Sequence, residues 1–342
     1  MIQLYADNMP VTTDNLTQMK TSETLNRAGS MTIGLPPDHP ARDAILAPKT
    51  IITLKEDGET QFRGRVLTPQ RLTDFQDVII CEGEMAFLQD ARVESAFCDF
   101  SDADQLIRIL TQKYNEHATE SMQLEIGTIA TALDGMEVHA DQTDNFVSIF
   151  HILTSVADSL NDGSTTLPIQ MTIKNGVMSF DRNLSATQSV LYGQNLISYT
   201  ETENRADFCT VLYADGSGDG GANYSLYQVQ SQPYIKDDDA VDAYGWIAKY
   251  MHFDHCTSAS DLLTKAQRYL ARHKSPTSSY KVKAFDRHWL DKGFKRFRAG
   301  QRVRVESSFH NFYREMLLQS VTCDWLHPQA NTIEIGSDNK LV

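Results

Sequence analysis

The alternation of apolar and polar residues near the end of the chain restricts its possible folds more than any other stretch. Tyr280-Lys281-Val282-Lys283-Ala284 and Arg302-Val303-Arg304-Val305-Glu306 put every second side chain on one face, the period of a half-buried β-strand. With residues 316–323 and 332–335 they predict four successive strands within 280–336, turned at Gly300 and at 307–312. A similar run comes early: Ile51-Ile52-Thr53-Leu54, a turn at Asp57-Gly58, then strands at 61–67 and 78–81. The plan is an antiparallel β-module at each end with different structure between them.

Residues 1–92 read as β. Strands are expected at 2–5 and 30–35, and Pro36, Pro37 and Pro40 bar a regular continuation. Phe62 and Val66 anchor the strand around Gly64, and 84–89 suits a short helical cap. From about Val93 the period turns helical. Ser101 is the expected N-cap, Asp102 and Asp104 fall in the first turn, and Leu106, Ile107, Leu110 and Tyr114 share a face. After Asp144 a second helix carries Phe146, Ile149, Phe150, Leu153, Val156, Ala157 and Leu160 and stops near Gly163. Asn175-Gly176 predicts a type I′ hairpin between 169–173 and 177–180. Strand patterning resumes at 196–199 and 209–213. A glycine-rich loop at 215–221, a strand from Tyr224 and a solvated turn at Asp237-Asp238-Asp239 follow. A last helix places Leu262, Leu263, Ala266, Tyr269 and Leu270 on one face and ends before Pro276.

The 342 residues suffice for two to four compact units, and 41% hydrophobic with 22% charged residues is ordinary for a folded chain. A net charge of −14 opposes an all-over nucleic-acid-binding surface. The five cysteines, Cys81, Cys98, Cys209, Cys256 and Cys323, are scattered without C-x-x-C spacing, which predicts reduced core thiols. The N-terminus has no basic and apolar leader, and no run approaches the ~18 apolar residues of a membrane span. Synthesis and at least initial residence in a cytoplasm are expected.

Four constellations merit weighing. His252, Asp254, His255 and Cys256 combine ligand-type residues, but their spacing matches no zinc pattern, so loop composition is the plainer reading. His139, Asp141 and Asp144 share that weakness. The carboxylates and glycines of 215–221 lack the length and terminal Glu of a calcium loop and read as a hairpin tip. The fourth is positive charge: nine lysines and arginines between 281 and 304 against Asp286 and Asp291. Within it Lys292, Lys295, Arg296, Arg298, Arg302 and Arg304 form a candidate electrostatic contact, with an acidic neighbouring subunit or passing DNA, against the plainer reading of a solvated loop. No Ser/His/Asp arrangement, carboxylate pair or nucleotide fingerprint stands out, so no catalytic residue, metal or cofactor is expected.

Several segments together resemble one family. Phe62-Arg63-Gly64-Arg65-Val66, then 78–90, look like the end of the first barrel of phage tail hub proteins. Residues 195–208 resemble the re-entry into a second barrel, and Tyr244-Gly245-Trp246-Ile247 with 262–270 the inserted helical piece. Lys281 to Asp286, Gly300 to Val305 and His327 to Gly336 are similar to the closing strands. The family is that of siphophage and prophage tail-associated, tail-endopeptidase-type proteins, akin to the baseplate hub of contractile phages.

The resemblance implies an α+β, β-rich fold with two similar antiparallel β-barrel, tube-type domains. Residues 1–92 are the first barrel, 93–194 an inserted α+β domain, 195–239 with 280–342 a split second barrel, and 240–279 a small helical insertion. It implies a homotrimeric ring at the tail tip that joins a sixfold tube to a threefold tip around a DNA channel. Its partners are a distal tail or tail tube protein, other baseplate proteins, and DNA that passes without sequence-specific binding. The expected location is the virion tail, after assembly in the host cytoplasm. The chain stops at Val342, six residues after Gly336, so the peptidase-type region of many relatives is not expected and neither is enzymatic activity. Two other functions compete: peptidoglycan degradation, suggested by the family's name, and host-glycan recognition through aromatics such as Tyr244, Trp246 and Tyr250.

Overall fold

Strands form where the alternation places them. The computed structural model describes residues 1–47, 49–71, 77–140, 145–159, 169–182, 189–206, 208–218, 221–254, 256–310, 312–328 and 331–335. The early tract gives strands Ile51–Glu56, Glu59–Arg71 and Asp77–Gly83, and the closing tract gives Thr277–Ala284, Arg302–Ser307, Phe312–Asp324 and Thr332–Ile335. At the first hairpin Asp57 and Gly58 both have positive φ, 51° and 87°, a geometry whose twist matches that of the flanking strands. Ile2–Ala6 and Ser30–Leu35 also form as expected, and Glu84–Gln89 is a short 3-10 helix. Two further strands, Met9–Val11 and Gln18–Thr24, lie in a stretch with no clear alternation.

The chain divides into two compact units, residues 1–199 with 281–342, and residues 200–280. In the first, strands from both ends of the chain share a single thirteen-stranded sheet that does not close on itself among the described residues. The join is an antiparallel ladder between Gln18–Thr24 and Phe312–Asp324, running from Ser320 opposite Thr24 to Asp324 opposite Lys20. The long strand also pairs with Arg302–Ser307 through its first half and with Thr332–Ile335 through its second. Both ends feed one core, in which Leu4, Met31, Ile33, Ile52 and Ile79 pack with Cys323 and Trp325. Burying such aliphatic side chains stabilises the fold by about 1.5–3 kcal/mol each.

The segment after residue 92 has its own core, built on helices Ala103–Asn115 and Ile149–Ser159. Leu106, Ile107, Leu110 and Tyr114 are buried, as the spacing predicts. The helix cap is Asp102 rather than Ser101, because its carboxylate accepts from the Gln105 N–H at 3.1 Å. Phe146 departs from the helical reading: it sits in strand Phe146–Ser148, paired with Arg92–Glu94, and is 56% exposed. Leu160 and Gly163 lie outside the described residues. The hairpin Gln170–Lys174 to Val177–Asp181 forms around Asn175 and Gly176, at φ 53° and 80°.

Buried polar groups tie this segment to the large sheet. The Asn26 carbonyl oxygen accepts from Met171 N at 3.0 Å, and its amide donates to Asp158 at 2.9 Å. The Gln170 amide donates to Gly300 O at 2.5 Å. Glu84 is 5% exposed and accepts from Asn175 N at 2.9 Å and Gly176 N at 2.8 Å, while Arg63 pairs with the same carboxylate.

Residues 200–280 form a sheet centred on Val211–Ser217, antiparallel to Asn223–Ser225 and Tyr234–Lys236 and parallel to Ala248–Phe253. Helix Ala259–His273 covers one face, burying Leu262, Ala266 and Leu270 against Leu212, Ala214 and Cys209. Tyr224 to Val229 is not one strand but a short strand followed by a 3-10 turn over Leu226–Gln228. The acidic run at 237–239 is no simple turn either. Asp237 caps helix Asp238–Tyr244 by accepting from Ala240 N at 3.0 Å, and the next two aspartates lie in its positive first turn. Residues 209–239 therefore form one unit with 240–279, and Val211–Ser217 takes Ala248–Phe253 as its parallel neighbour.

All five cysteines are free and buried. Burial pushes the Cys81 and Cys323 thiols up to about 12.

Replacing Glu84 by Ala should cost about 2–4 kcal/mol, since it strands Arg63 and two hairpin N–H groups at once. Urea denaturation at neutral pH measures this, and an unchanged midpoint would contradict the tether.

Candidate functional site

The positive tract is folded inward over much of its length. Arg296, 9% exposed, donates to Glu56 through Nε at 2.6 Å and Nη2 at 2.7 Å, a bidentate pair. Its guanidinium lies 4.4 Å from the Trp289 ring centre and 4.7 Å from that of Trp325, so aromatic faces replace the lost water. Asp286 is 3.6 Å away on the same guanidinium. Lys292 reaches Glu56 at 2.5 Å and Asp57 at 3.1 Å, and Arg298 is paired with Glu23 and Gln61. Arg304 is exposed but bound to Glu306 at 2.6 Å. Arg302 is half-buried on the adjoining strand, and Lys295 is exposed. The tract thus joins the closing strands to Ile51–Glu56 and Gln18–Thr24 by charge. Burial resists ionisation of Glu56, but the hydrogen bonds and charges of Arg296 and Lys292 outweigh it and bring the carboxyl from 4.5 to about 2.

A second constellation was not foreseen as a unit. In the sheet of residues 200–280, Asp215 lies opposite His252 and Tyr213 opposite Tyr250. His252 Nδ1 is 2.5 Å from Asp215 Oδ1, and its Nε2 is 3.2 Å from Ser217 Oγ and 3.4 Å from Asp254. Tyr250 donates to Asp215 at 2.9 Å. The order Ser217, His252, Asp215 is that of a proton relay, and an imidazole donating from Nδ1 to Asp215 would present Nε2 as an acceptor. The Ser217 hydroxyl, however, is closer to Asp254 Oδ1, at 2.9 Å. The nearby Gly218 and Cys256 N–H groups donate to Ala222 O and Ser217 O, which leaves neither for an oxyanion. The signal was a matched pair of triplets, Tyr213-x-Asp215-x-Ser217 and Tyr250-x-His252-x-Asp254. Their parallel register, set by a crossover of thirty residues, is not visible in the sequence.

The remaining candidates separate. Cys256 is buried with Leu262 beneath the sheet, on the side away from His252, and burial raises its thiol pKa. His255 lies outside the described residues. His139 is exposed and sits 2.9 Å from Asp99, while Asp141 and Asp144 lie outside the described residues. Of the 215–221 loop, Asp219 and Gly220 also lie outside them, and Gly218 N closes the turn on Ala222 O at 2.7 Å. Among the described residues no group of three or more His, Cys, Asp or Glu side chains is placed to hold a metal ion. No helix among them is long and apolar enough to cross a membrane.

Residues 185–342 match the sequence model of the prophage endopeptidase tail family. That match covers the later part of the chain, and the fold of the chain is the one seen in solved prophage tail proteins. Over 98% of both chains it is similar to the 43 kDa tail protein of prophage MuSo2 from Shewanella oneidensis, with a TM-score of 0.65 at 15% identity. The tail protein of Neisseria meningitidis MC58 aligns over 98% of this chain and 96% of its own, with a TM-score of 0.64 at 10% identity. A third similar structure, at a TM-score of 0.51 and 11% identity, covers 99% of this chain and 77% of its own. It is an Escherichia coli type VI secretion component described as structurally similar to the T4 bacteriophage tail proteins gp27 and gp5. No curated protein matches the chain by sequence.

Because the folded pKa of Glu56 lies below its unfolded value, its contribution is present above about pH 4.5 and is lost as pH falls towards 2. Glu56→Gln should lower stability at pH 7 by on the order of 3 kcal/mol and flatten the loss of stability between those pH values. Denaturant titrations at pH 7 and in that acid window test both parts.

Proposed function

We propose that the chain is a structural ring subunit, of baseplate-hub type, at the distal end of a phage or prophage tail. The observation that supports this reading is the sheet built from two arms, one from strands within 2–83 and the other from strands within 190–204 and 277–335. Each arm stands for one tube-type module in this reading, and the fold is similar to prophage tail proteins along its whole length. Three chains then present six arms, which fits a sixfold tube on one rim and a threefold tip on the other. One end of the sheet is strand Leu196–Asn204, where Ile197 is 51% exposed. A strand at the end of a sheet that exposes an apolar side chain is a natural template for a neighbouring subunit.

The role is geometric rather than catalytic. A chain of net charge −14 repels DNA from the wall it lines and lets it pass without sequence-specific contact. The partners are further copies of this chain, the tail tube or distal tail protein, and other tail-tip proteins. The site of action is the virion tail, assembled in the host cytoplasm.

Light scattering over a protein concentration series should show a species near three times 38.5 kDa. Ile197→Lys should shift the mass towards one chain while leaving the thermal midpoint of the monomer unchanged. A native chain that stays monomeric, both alone and with its cognate tail-tube protein, would overturn the ring.

A further inference from the structure

The sheet of residues 200–280 has one face under helix Ala259–His273 and one face exposed. Strand Ala248–Phe253 alternates strictly, with Lys249, Met251 and Phe253 half-buried and Ala248, Tyr250 and His252 exposed. Tyr213, Asp215 and Ser217 show their side chains on that same outer side, since the residues between them are buried. One end of this face is aromatic. Tyr250 is 62% and Trp246 52% exposed, and Trp246 stands edge-on to Tyr234 at 5.2 Å, which itself packs on Tyr213 at 5.3 Å. The other end is polar, formed by the hydrogen-bonded set of Asp215, His252, Ser217 and Asp254. Tyr250 belongs to both, with an exposed ring and a hydroxyl held by Asp215 at 2.9 Å.

We propose that this face binds a neutral pyranose unit of a surface glycan, as a function additional to the ring role and independent of it. A pyranose has an apolar C–H face and a rim of hydroxyls. The aromatic end offers rings of the amphipathic kind that suit the first, and the polar end offers carboxylate and imidazole acceptors and a hydroxyl for the second. Alternate residues on a strand stand roughly 7 Å apart, so Tyr250 and His252 are separated by about the width of one sugar ring. The rings and carboxylates already restrain each other, which lowers the ordering cost of binding. Two carboxylates within this face, in a chain of −14, oppose sialylated, uronic or phosphate-bearing polymers and select a neutral sugar. The polar half and its acidic charge favour a hydroxyl-rich sugar over an apolar protein surface.

The probes are maltotriose and triacetylchitotriose, with oligosialic acid as the acidic control, each added at millimolar concentration to the full chain. Saturation-transfer NMR should show contact to the ring protons of at least one neutral trisaccharide and none to the sialic acid oligomer. Trp246→Ala and Tyr250→Ala should each weaken that binding roughly tenfold, the effect of one lost stacking ring. Tyr250→Phe, which keeps the ring and drops the hydroxyl, should weaken it less. Trp246 and Tyr250 are exposed, so an unchanged thermal midpoint shows that these variants still fold. Transfer to neither neutral sugar, transfer that survives both alanine variants, or equal transfer to the acidic oligomer would each overturn the proposal.

Discussion

The first unit depends on backbone pairing between strands about three hundred residues apart. The ladder from Thr24 opposite Ser320 to Lys20 opposite Asp324 merges the two ends of the chain into one sheet. Without it the early strands would end in an open edge, and Trp325 would lose Thr21, to which its indole N–H donates at 2.9 Å. The charged cluster around Arg296 reinforces the same join from outside the ladder. Glu56 belongs to the early tract and Arg296 to the late one, so their bidentate pair is also a long-range bond. A buried ion pair of this kind adds little net stability over an apolar substitute, but removing one partner leaves an uncompensated charge. The pair ties the loop that precedes Gly300 to the end of strand Ile51–Glu56.

Much of the fold was legible because it rests on local rules. The alternation at Arg302–Ser307, the Asp57-Gly58 and Asn175-Gly176 turns, and the helical spacing of Leu106, Ile107 and Leu110 each express a period or a turn geometry over a few residues. The joining strand Gln18–Thr24 was not legible, for a physical reason. Its sequence, Gln18-Met19-Lys20-Thr21-Ser22-Glu23-Thr24, is mostly polar and buries only Met19 and Thr21. A strand held on both edges by main-chain hydrogen bonds needs few apolar side chains to stay in place, so it leaves little hydrophobic signature. Ser101 failed as a cap because Asp102 stands one residue later with a carboxylate that reaches the same N–H groups.

The candidate surfaces were legible only as composition. Nine cations between 281 and 304 suggested an outward contact. Their partners, Glu23, Glu56 and Glu306 among them, lie far away in sequence or in the next turn of strand, and a linear reading cannot pair them. Likewise Asp215 and His252 looked like parts of unrelated loops. They meet because helix Asp238–Tyr244 carries the chain back to add a parallel strand beside Val211–Ser217. In both cases the missing information was register, which belongs to the tertiary fold and not to any short window.

The buried thiols have a chemical consequence of their own. With Cys81 and Cys323 held near 12, almost no thiolate exists at neutral pH, and all five sulfurs lie inside the packed units. Burial therefore shields these sulfurs from oxidants and thiol reagents while the chain stays folded. Any modification that does occur records a moment of opening, so the cysteines act as built-in clocks of how often each core breathes.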